Sequence, residues 1–374
     1  MSLYDSVRDL FLTVEGYALE GLEQQTPTGF LRKTTVIRLL GAGEEGLGED
    51  VTYDAAEHDL SQAKGSIHDL AGTWTLHTFS QHLGTLELFD HEPDQHAYLD
   101  YRRWAYESAA LDLALRQAGL SLGAAVGRSP RPLTFVVSSG LGDPATTDRV
   151  HAWLRLYPGL RFKLDATPSW SEELIAELAA TGAVDSVDFK GQYHGTSVDT
   201  VPDAELYHRV IDGLSGAWLE DPALTPETEA VLDPVHERVT WDAPIHSVGD
   251  IEALRWPPRT VNIKPSRFGS VERLFGGYDY CAEQGIRAYG GGQFELGVGR
   301  DQIQLLAALF HPETPNDVAP GGFNLDPAAG LPTSPLTVAA RETGFAAAYT
   351  RAARPPRALR LERREQCVDR DERQ

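Results

Sequence analysis

Several apolar segments in the second half of the chain end in groups that can hold a metal or move a proton. LRFKLDA (160–166) ends in Lys163 and Asp165, VDSVDFKGQ (184–192) in Asp188 and Lys190, and AWLEDP (217–222) in Glu220 and Asp221. RVTWDAP (238–244) carries Asp242, and TVNIKPS (260–266) carries Lys264. Side chains alternate along a strand, so Lys163 and Asp165 point the same way, either as an ion pair or as part of an active site. Asp188, Glu220 and Asp242 follow one another at intervals of 32 and 22 residues, one per segment. Three bare carboxylates from adjacent strands would repel strongly, and their hard oxygens suit Mg2+, with water or substrate oxygens completing its shell. Lys264 lies 22 residues beyond Asp242. Crowded by cations, its ammonium would have a lowered pKa and could act as a base near neutrality. The competing reading is a set of buried ion pairs that close the end of the fold without chemistry.

Positioning such groups requires a scaffold of strands. Further strand-like segments are LTFVVSS (133–139), IRAYGGG (286–292) and, most faintly, DVAPGG (317–322). Helical stretches such as SWSEELIAELAATG, DAELYHRVIDGLSG and GRDQIQLLAALF lie between them. Eight strands alternating with helices over about 190 residues predict a parallel α/β barrel, with catalytic groups at the C-terminal strand ends. The first part reads differently. FLTVEGYAL and KTTVIRLL suggest a small antiparallel sheet and GAGEEGLGED a turn, followed by a helical region from Tyr53 to Gly127. Within it Trp104, Ser108, Leu111 and Leu115 fall near one helical face. EQQTPTGFLRK (23–33) lies between two strands and is a candidate substrate-facing loop, while RSPRP (128–132) interrupts the periodicity. The expected division is an α+β capping domain over 1–127, completed by segment 330–374, and a barrel domain over 128–329. The tail RAARPPRALRLERREQCVDRDERQ reads as a charged, solvated extension.

Composition narrows the partners. In 374 residues, Asp plus Glu number 55 against 33 Lys plus Arg, a formal charge of −22. That balance repels nucleic acid and anionic membrane. An anionic substrate therefore needs a locally positive pocket or a metal. Cys281 and Cys367 make neither a disulfide framework nor a metal cluster. No apolar run approaches membrane-spanning length, and the N-terminal residues lack a basic region followed by an apolar core, so a cytoplasmic protein is expected.

The motifs, taken in order, resemble the enolase superfamily, in particular its muconate-lactonizing and o-succinylbenzoate-synthase-like branch. TTVIRLLGAGEEGLGED is similar to the family's capping-domain hairpin with its Gly-x-Gly-Glu stretch, and YESAALDLALRQAGLSLGAAVG to the helix leading from cap to barrel. AWLEDP resembles the fourth-strand metal motif, VNIKPSRFGS the sixth-strand lysine motif, and GGGQFELGVGRDQIQLLAALF the seventh-strand segment with its helix. The resemblance implies a modified TIM-type (β/α)7β barrel under an α+β N-terminal cap. It implies Mg2+ on Asp188, Glu220 and Asp242, and Lys264 as a base that takes the proton beside a small substrate's carboxylate, giving a metal-stabilised enediolate. The mandelate-racemase-like branch carries a seventh-strand histidine, which RAYGGGQFELGVG lacks; KPSRFGS leans toward the succinylbenzoate-synthase and N-acylamino-acid-racemase side. Family members are often oligomeric, so a homo-oligomer is open.

One departure bears on the reaction. The branch normally has Lys-x-Lys at the second strand, where this chain has Lys163-x-Asp165. KLDATPSW also resembles the family's third-strand Asp-Ala-Asn-x-x-Trp motif, but Asp165 lies 55 residues before Glu220, too far for consecutive strands. RFKLDA therefore stays the second strand. After the third-strand ligand the family usually places asparagine, and here stands Lys190. Either the missing lysine has moved one strand over, with Asp165 orienting it or depressing its pKa, or Asp165 and Lys190 form a structural ion pair. The catalytic candidates are Lys264, Lys163, Lys190 and Asp165, and the substrate-binding candidates are Arg267, His194 and Glu295. The expected outcome is elimination, cycloisomerisation or epimerisation, by a lyase or isomerase. The alternative is a relative that binds a carboxylate or metal without turnover.

Overall fold

The computed structural model describes residues 2–348 apart from 28 and 197, together with the pair Leu359–Arg360. The charged tail beyond residue 360 and Cys367 lie outside the described residues. No helix among the described residues is long and apolar enough to cross a membrane.

The N-terminal region builds an antiparallel meander of β2 (Gly16–Gln25), β3 (Leu31–Gly41) and β4 (Glu44–Asp50), while β1 (Phe11–Val14) pairs with β5 (Gly72–Thr75). Leu359–Arg360 adds to the outer edge of β2. Helices α1 (Ala55–Lys64), α2 (Leu76–Leu83) and α3 (Ala97–Gln117) complete this region. GAGEEGLGED differs from its reading as a turn: only Ala42 and Gly43, both at positive φ, turn the chain, while Gly41 ends β3 and the rest is β4. Gly46 and Gly48 serve close approach instead. A β-carbon at either would collide with the α3 backbone, at the carbonyl oxygens of Ala109 and Ala105. Helix α3 also departs from the one-faced pattern. Nearly every residue from Tyr101 to Leu115 is buried, because the helix lies between the cap sheet and the barrel. Its small residues Ala105, Ala109, Ala110 and Ala114 allow that double contact.

A short helix α4 (Leu122–Ala125) leads to the barrel. There β6 (Val137–Gly140), β7 (Phe162–Asp165), β8 (Val184–Asp188), β9 (Trp218–Glu220) and β10 (Val239–Thr240) form one parallel sheet in sequence order. Strands β11 (Thr260–Ile263) and β12 (Arg287–Gly290) form a parallel pair, joined to that sheet by a bridge between Trp241 and Val261. Helices α5 (Asp148–Leu156), α6 (Glu172–Thr181), α7 (Ala204–Gly213), α8 (Pro226–Leu232), α9 (Val248–Glu252), α10 (Pro265–Phe268), α11 (Val271–Gln284) and α12 (Val298–Phe310) lie between or after the strands. Local chemistry sets their ends. Ser171 caps α6 and Gly182 closes it in the left-handed region; Ser270 and Gly285 do the same for α11.

The eighth station is weaker than a strand. Asn316 bridges to Phe135 and Asp317 to Gly291, which closes the ring with single pairs. The Asn316 side chain supports the closure: Oδ1 accepts from Gly290 N–H at 2.6 Å and Nδ2 donates to Thr134 O at 3.0 Å. Pro320 and two glycines follow, a poor sequence for extending a ladder. The core runs continuously from Leu12 and Leu39 in the cap through Phe162, Val187 and Leu219 in the barrel.

Two contacts tie the cap to the β12 end of the barrel. Glu49 accepts backbone N–H groups from Leu296 (2.7 Å), Gly297 (3.0 Å) and Gly299 (2.8 Å), at the start of α12. Arg32, fully buried, donates to the carbonyls of Val51, Thr52, Gln293 and Phe294.

Candidate active site

Strands β8 and β9, and the residue two beyond β10, bring Asp188, Glu220 and Asp242 to one point. One oxygen from each lies within 4.8 Å of the others, and all three are buried. Parallel register produces this, since Asp165, Asp188 and Glu220 are successive partners along the C-terminal ends of β7, β8 and β9.

Every triad carboxylate carries a compensating group. The Lys163 ammonium pairs with Glu220 Oε1, stands 3.0 Å from Asp188 Oδ2 and 3.7 Å from Asp317 Oδ2. Ser186 Oγ donates to Glu220 Oε2 at 3.3 Å. Asp242 receives Lys264 Nζ at 2.8 Å, Arg267 at 2.6 Å and the Tyr193 hydroxyl at 2.9 Å. Lys190 Nζ lies 2.5 Å from Asp188 Oδ2 and 3.3 Å from Asp165 Oδ1, and its N–H donates to Asp188 Oδ1 at 2.9 Å. Lys190 has φ 55°, unusual for a lysine.

The protonation tendencies follow from burial and these charges. Burial lowers Lys264, and Arg267 and Lys163 lower it further against the opposing pull of Asp242. Burial would also lower Lys163 and Lys190, but their carboxylate partners outweigh it and hold both well above the ordinary lysine value. Asp165 therefore favours the charged form of Lys190, which corrects the expectation of a depressed pKa and leaves that of an orienting contact. Glu220 is pushed up to about 7, by burial first and then by Asp188 and Asp242, with Lys163 opposing. Asp242 stays well below the carboxylate range because Arg267 and Lys264 outweigh its burial.

The donor set fits a hard divalent cation. Three carboxylates converge in a buried position, and around them the acids are in excess among the described residues. Asp165, Asp188, Glu220, Asp221, Asp242 and Asp317 face Lys163, Lys190, Lys264 and Arg267. Extra positive charge at that point relieves their repulsion.

Residues 129–325 match the C-terminal domain, and residues 5–125 the N-terminal domain, of the family described as domain of unknown function (DUF8230). The chain belongs to the DUF8230 family. It is also similar to enolase-superfamily proteins, on the side of muconate-lactonizing enzyme and o-succinylbenzoate synthase, and shares their fold. It is 26% identical over 290 residues to o-succinylbenzoate synthase of Geobacillus stearothermophilus, covering 74% of each chain. It is 30% identical over 230 residues to N-succinylamino acid racemase of an Amycolatopsis species, covering 58% of each. The dipeptide epimerase of Methylococcus capsulatus, solved as a complex with a Mg ion, shares the fold. Its TM-score is 0.63 at 19% identity, over 90% of this chain and all of that one (100%).

In this DUF8230 chain the remaining candidates fall as follows. Arg267 is buried against the Asp242 carboxylate and carbonyl, three residues past Lys264, so its guanidinium supports Asp242 rather than standing free for an anion. Glu295 is buried beside Glu49, pairs with Arg300 at 3.2 Å and accepts Gln293 N–H at 2.7 Å, at the junction of barrel and cap. His194 is exposed on the loop after β8, and it is the preceding Tyr193 that reaches the triad. His246 turns back on Ala243 O. In the segment 23–33, Thr26 and Phe30 hydrogen-bond to each other between β2 and β3, and the Arg32 guanidinium lies over the Tyr53 ring. Tyr101 accepts from Gln293 Nε2 at 2.9 Å, and the charges of Arg267 and Asp242 act on its hydroxyl.

Sequence reasoning gave no role to four participants. Asp221, in the left-handed region at φ 48°, accepts the N–H groups of Asp242 and Ala243, each at 2.8 Å, and so sets the ligand's backbone. Its place directly after Glu220 was a visible signal. Asp317 and Tyr193 lay in segments already marked as strand or loop. Asn262, two residues before Lys264, is buried with neither amide atom hydrogen-bonded. Nothing in its sequence context distinguishes it from a strand filler.

Proposed function

We propose that this chain is a Mg2+-dependent enzyme that removes the proton α to the carboxylate of a small substrate, with Asp188, Glu220 and Asp242 as metal ligands and Lys264 as the base. The convergence of these three carboxylates beside a lysine of lowered pKa supports the reading most strongly. When bound, Mg2+ supplies the positive charge against which the substrate carboxylate gathers the charge of deprotonation. Lys264 Nζ takes the proton, and Arg267 and Lys163 favour its neutral form beforehand. Lys163 acts as a fixed counter-ion beneath Glu220 and Asp188. Burial excludes bulk water from the triad, which strengthens each of these interactions.

Only Lys264 of the lysines combines a lowered pKa with a place at the triad, so a one-base outcome such as elimination is favoured over epimerisation. The substrates named by its relatives, N-succinylamino acids, o-succinylbenzoate precursors and dipeptides, define the first panel. NMR-detected turnover that requires Mg2+ and stops on chelation would support the proposal. A second reading, a carboxylate or metal binder without turnover, draws on Asp165 at the position where a lysine is expected. It predicts Mg2+-dependent ligand binding and no reaction across the panel.

A further inference from the structure

We infer that Lys190 is a built-in counter-cation that occupies Asp188 until a metal displaces it, and that Asp165 is the carboxylate which receives it. The inference rests on the proposed metal site. Two ammoniums share Asp188 Oδ2, Lys190 at 2.5 Å and Lys163 at 3.0 Å. They differ in freedom. Lys163 is 2% exposed and is held among Asp188, Glu220 and Asp317, so it has no second position to take. Lys190 is 19% exposed and already stands 3.3 Å from Asp165, whose side chain is 34% exposed at the rim.

A divalent cation among the three carboxylates repels both lysines and competes for the same oxygen. Lys190 is the one that can yield, because its alternative partner is within reach of a small side-chain rotation. Asp165 stands where a lysine is expected and Lys190 where an asparagine is expected. The two departures then form one device: a lysine that neutralises the empty triad and a carboxylate that parks it when the triad is filled. On this account Asp165 is a positioning residue, acting on the metal site only through Lys190.

The test is calorimetric Mg2+ binding to the full chain without substrate, arranged as a double-mutant cycle. Lys190→Met should tighten Mg2+ binding by about tenfold or more, a change equal to about 1.4 kcal/mol per factor of ten. Asp165→Asn should weaken it several-fold in the wild-type background and have no effect in the Lys190→Met background. A general effect of charge would instead add equally in both backgrounds, and that result, or a Lys190→Met variant that binds no tighter, overturns the inference. Lys190→Asn carries the same test on a residue that adopts positive φ readily, should the methionine variant fold poorly. Wild-type protein that binds no Mg2+ at millimolar concentration would overturn the metal reading as well. Binding with an additive cycle overturns this inference alone.

Discussion

Gly291 packs against Lys264 so closely that a β-carbon at position 291 would stand 2.6 Å from the lysine Cε and 2.8 Å from the Asn262 amide. The glycine makes room for the base to extend across the barrel mouth. Gly291→Ala should push Lys264 off its line to Asp242 and slow α-proton exchange by about a hundredfold, since misplacements near one ångström carry that cost. Mg2+ affinity should change little, and comparison of exchange rate with calorimetric Kd separates the two effects.

Asp221 holds Asp242 from behind. Asp221→Ala leaves one buried and one part-buried N–H group without their carboxylate partner, an expected loss of roughly 2–4 kcal/mol in denaturant unfolding. Because the same N–H groups fix the ligand's backbone, Mg2+ binding should weaken in parallel. Unchanged metal affinity in a folded variant would contradict the positioning role.

Metal should stabilise the fold by mass action. At a free Mg2+ concentration of a hundred times Kd, the expected gain is about 2.7 kcal/mol. It should be visible as a rise in Tm that chelator reverses. Asp188→Asn, Glu220→Gln and Asp242→Asn should each lose most of that Mg2+-dependent shift.

Acid should unfold the barrel through His311. Asn316 Nδ2 donates to carbonyls, so its Oδ1 accepts from His311 Nδ1–H at 2.6 Å, and His311 Nε2 accepts from the Tyr278 hydroxyl at 3.3 Å. The imidazole is therefore neutral, and burial pulls its pKa down to about 4. From its unfolded value near 6.5 down to the folded value, the unfolded chain binds a proton that the folded chain does not. Stability is lost as pH falls through that window, by about 3 kcal/mol in all. His311→Gln should remove this component, as denaturant titrations at pH 7 and pH 4 would reveal.

The barrel was legible because charged residues at the ends of apolar strand-length runs stand out against them, and six of the eight stations carry ladders of three or more residue pairs. The eighth was faint because single bridges and an asparagine side chain do the work of a strand. Gly46 and Gly48 looked like turn residues, since a short Gly-x-Gly run does not reveal whether its glycines bend the chain or admit a neighbouring helix. The contact of Lys190 with Asp165 was one of the expected readings, but its closer contact with Asp188 and that of Arg267 with Asp242 were hidden for a different reason. Spacing assigns a residue to a strand end, but which carboxylate a long cation chooses depends on loops that pack from elsewhere. Tyr101 reaches the mouth from a helix some 140 residues before Asp242 (101 against 242), a proximity that only tertiary packing sets.

The central claim is that Lys264 removes a proton beside a carboxylate with Mg2+ present. The most direct measurement is deuterium incorporation at the α-carbon of panel carboxylates in heavy water, for wild type and Lys264→Ala. The account predicts Mg2+-dependent exchange in the wild type that disappears in the variant while Mg2+ still binds. Exchange that persists in Lys264→Ala, or Mg2+-dependent carboxylate binding with no exchange in the wild type, would contradict it.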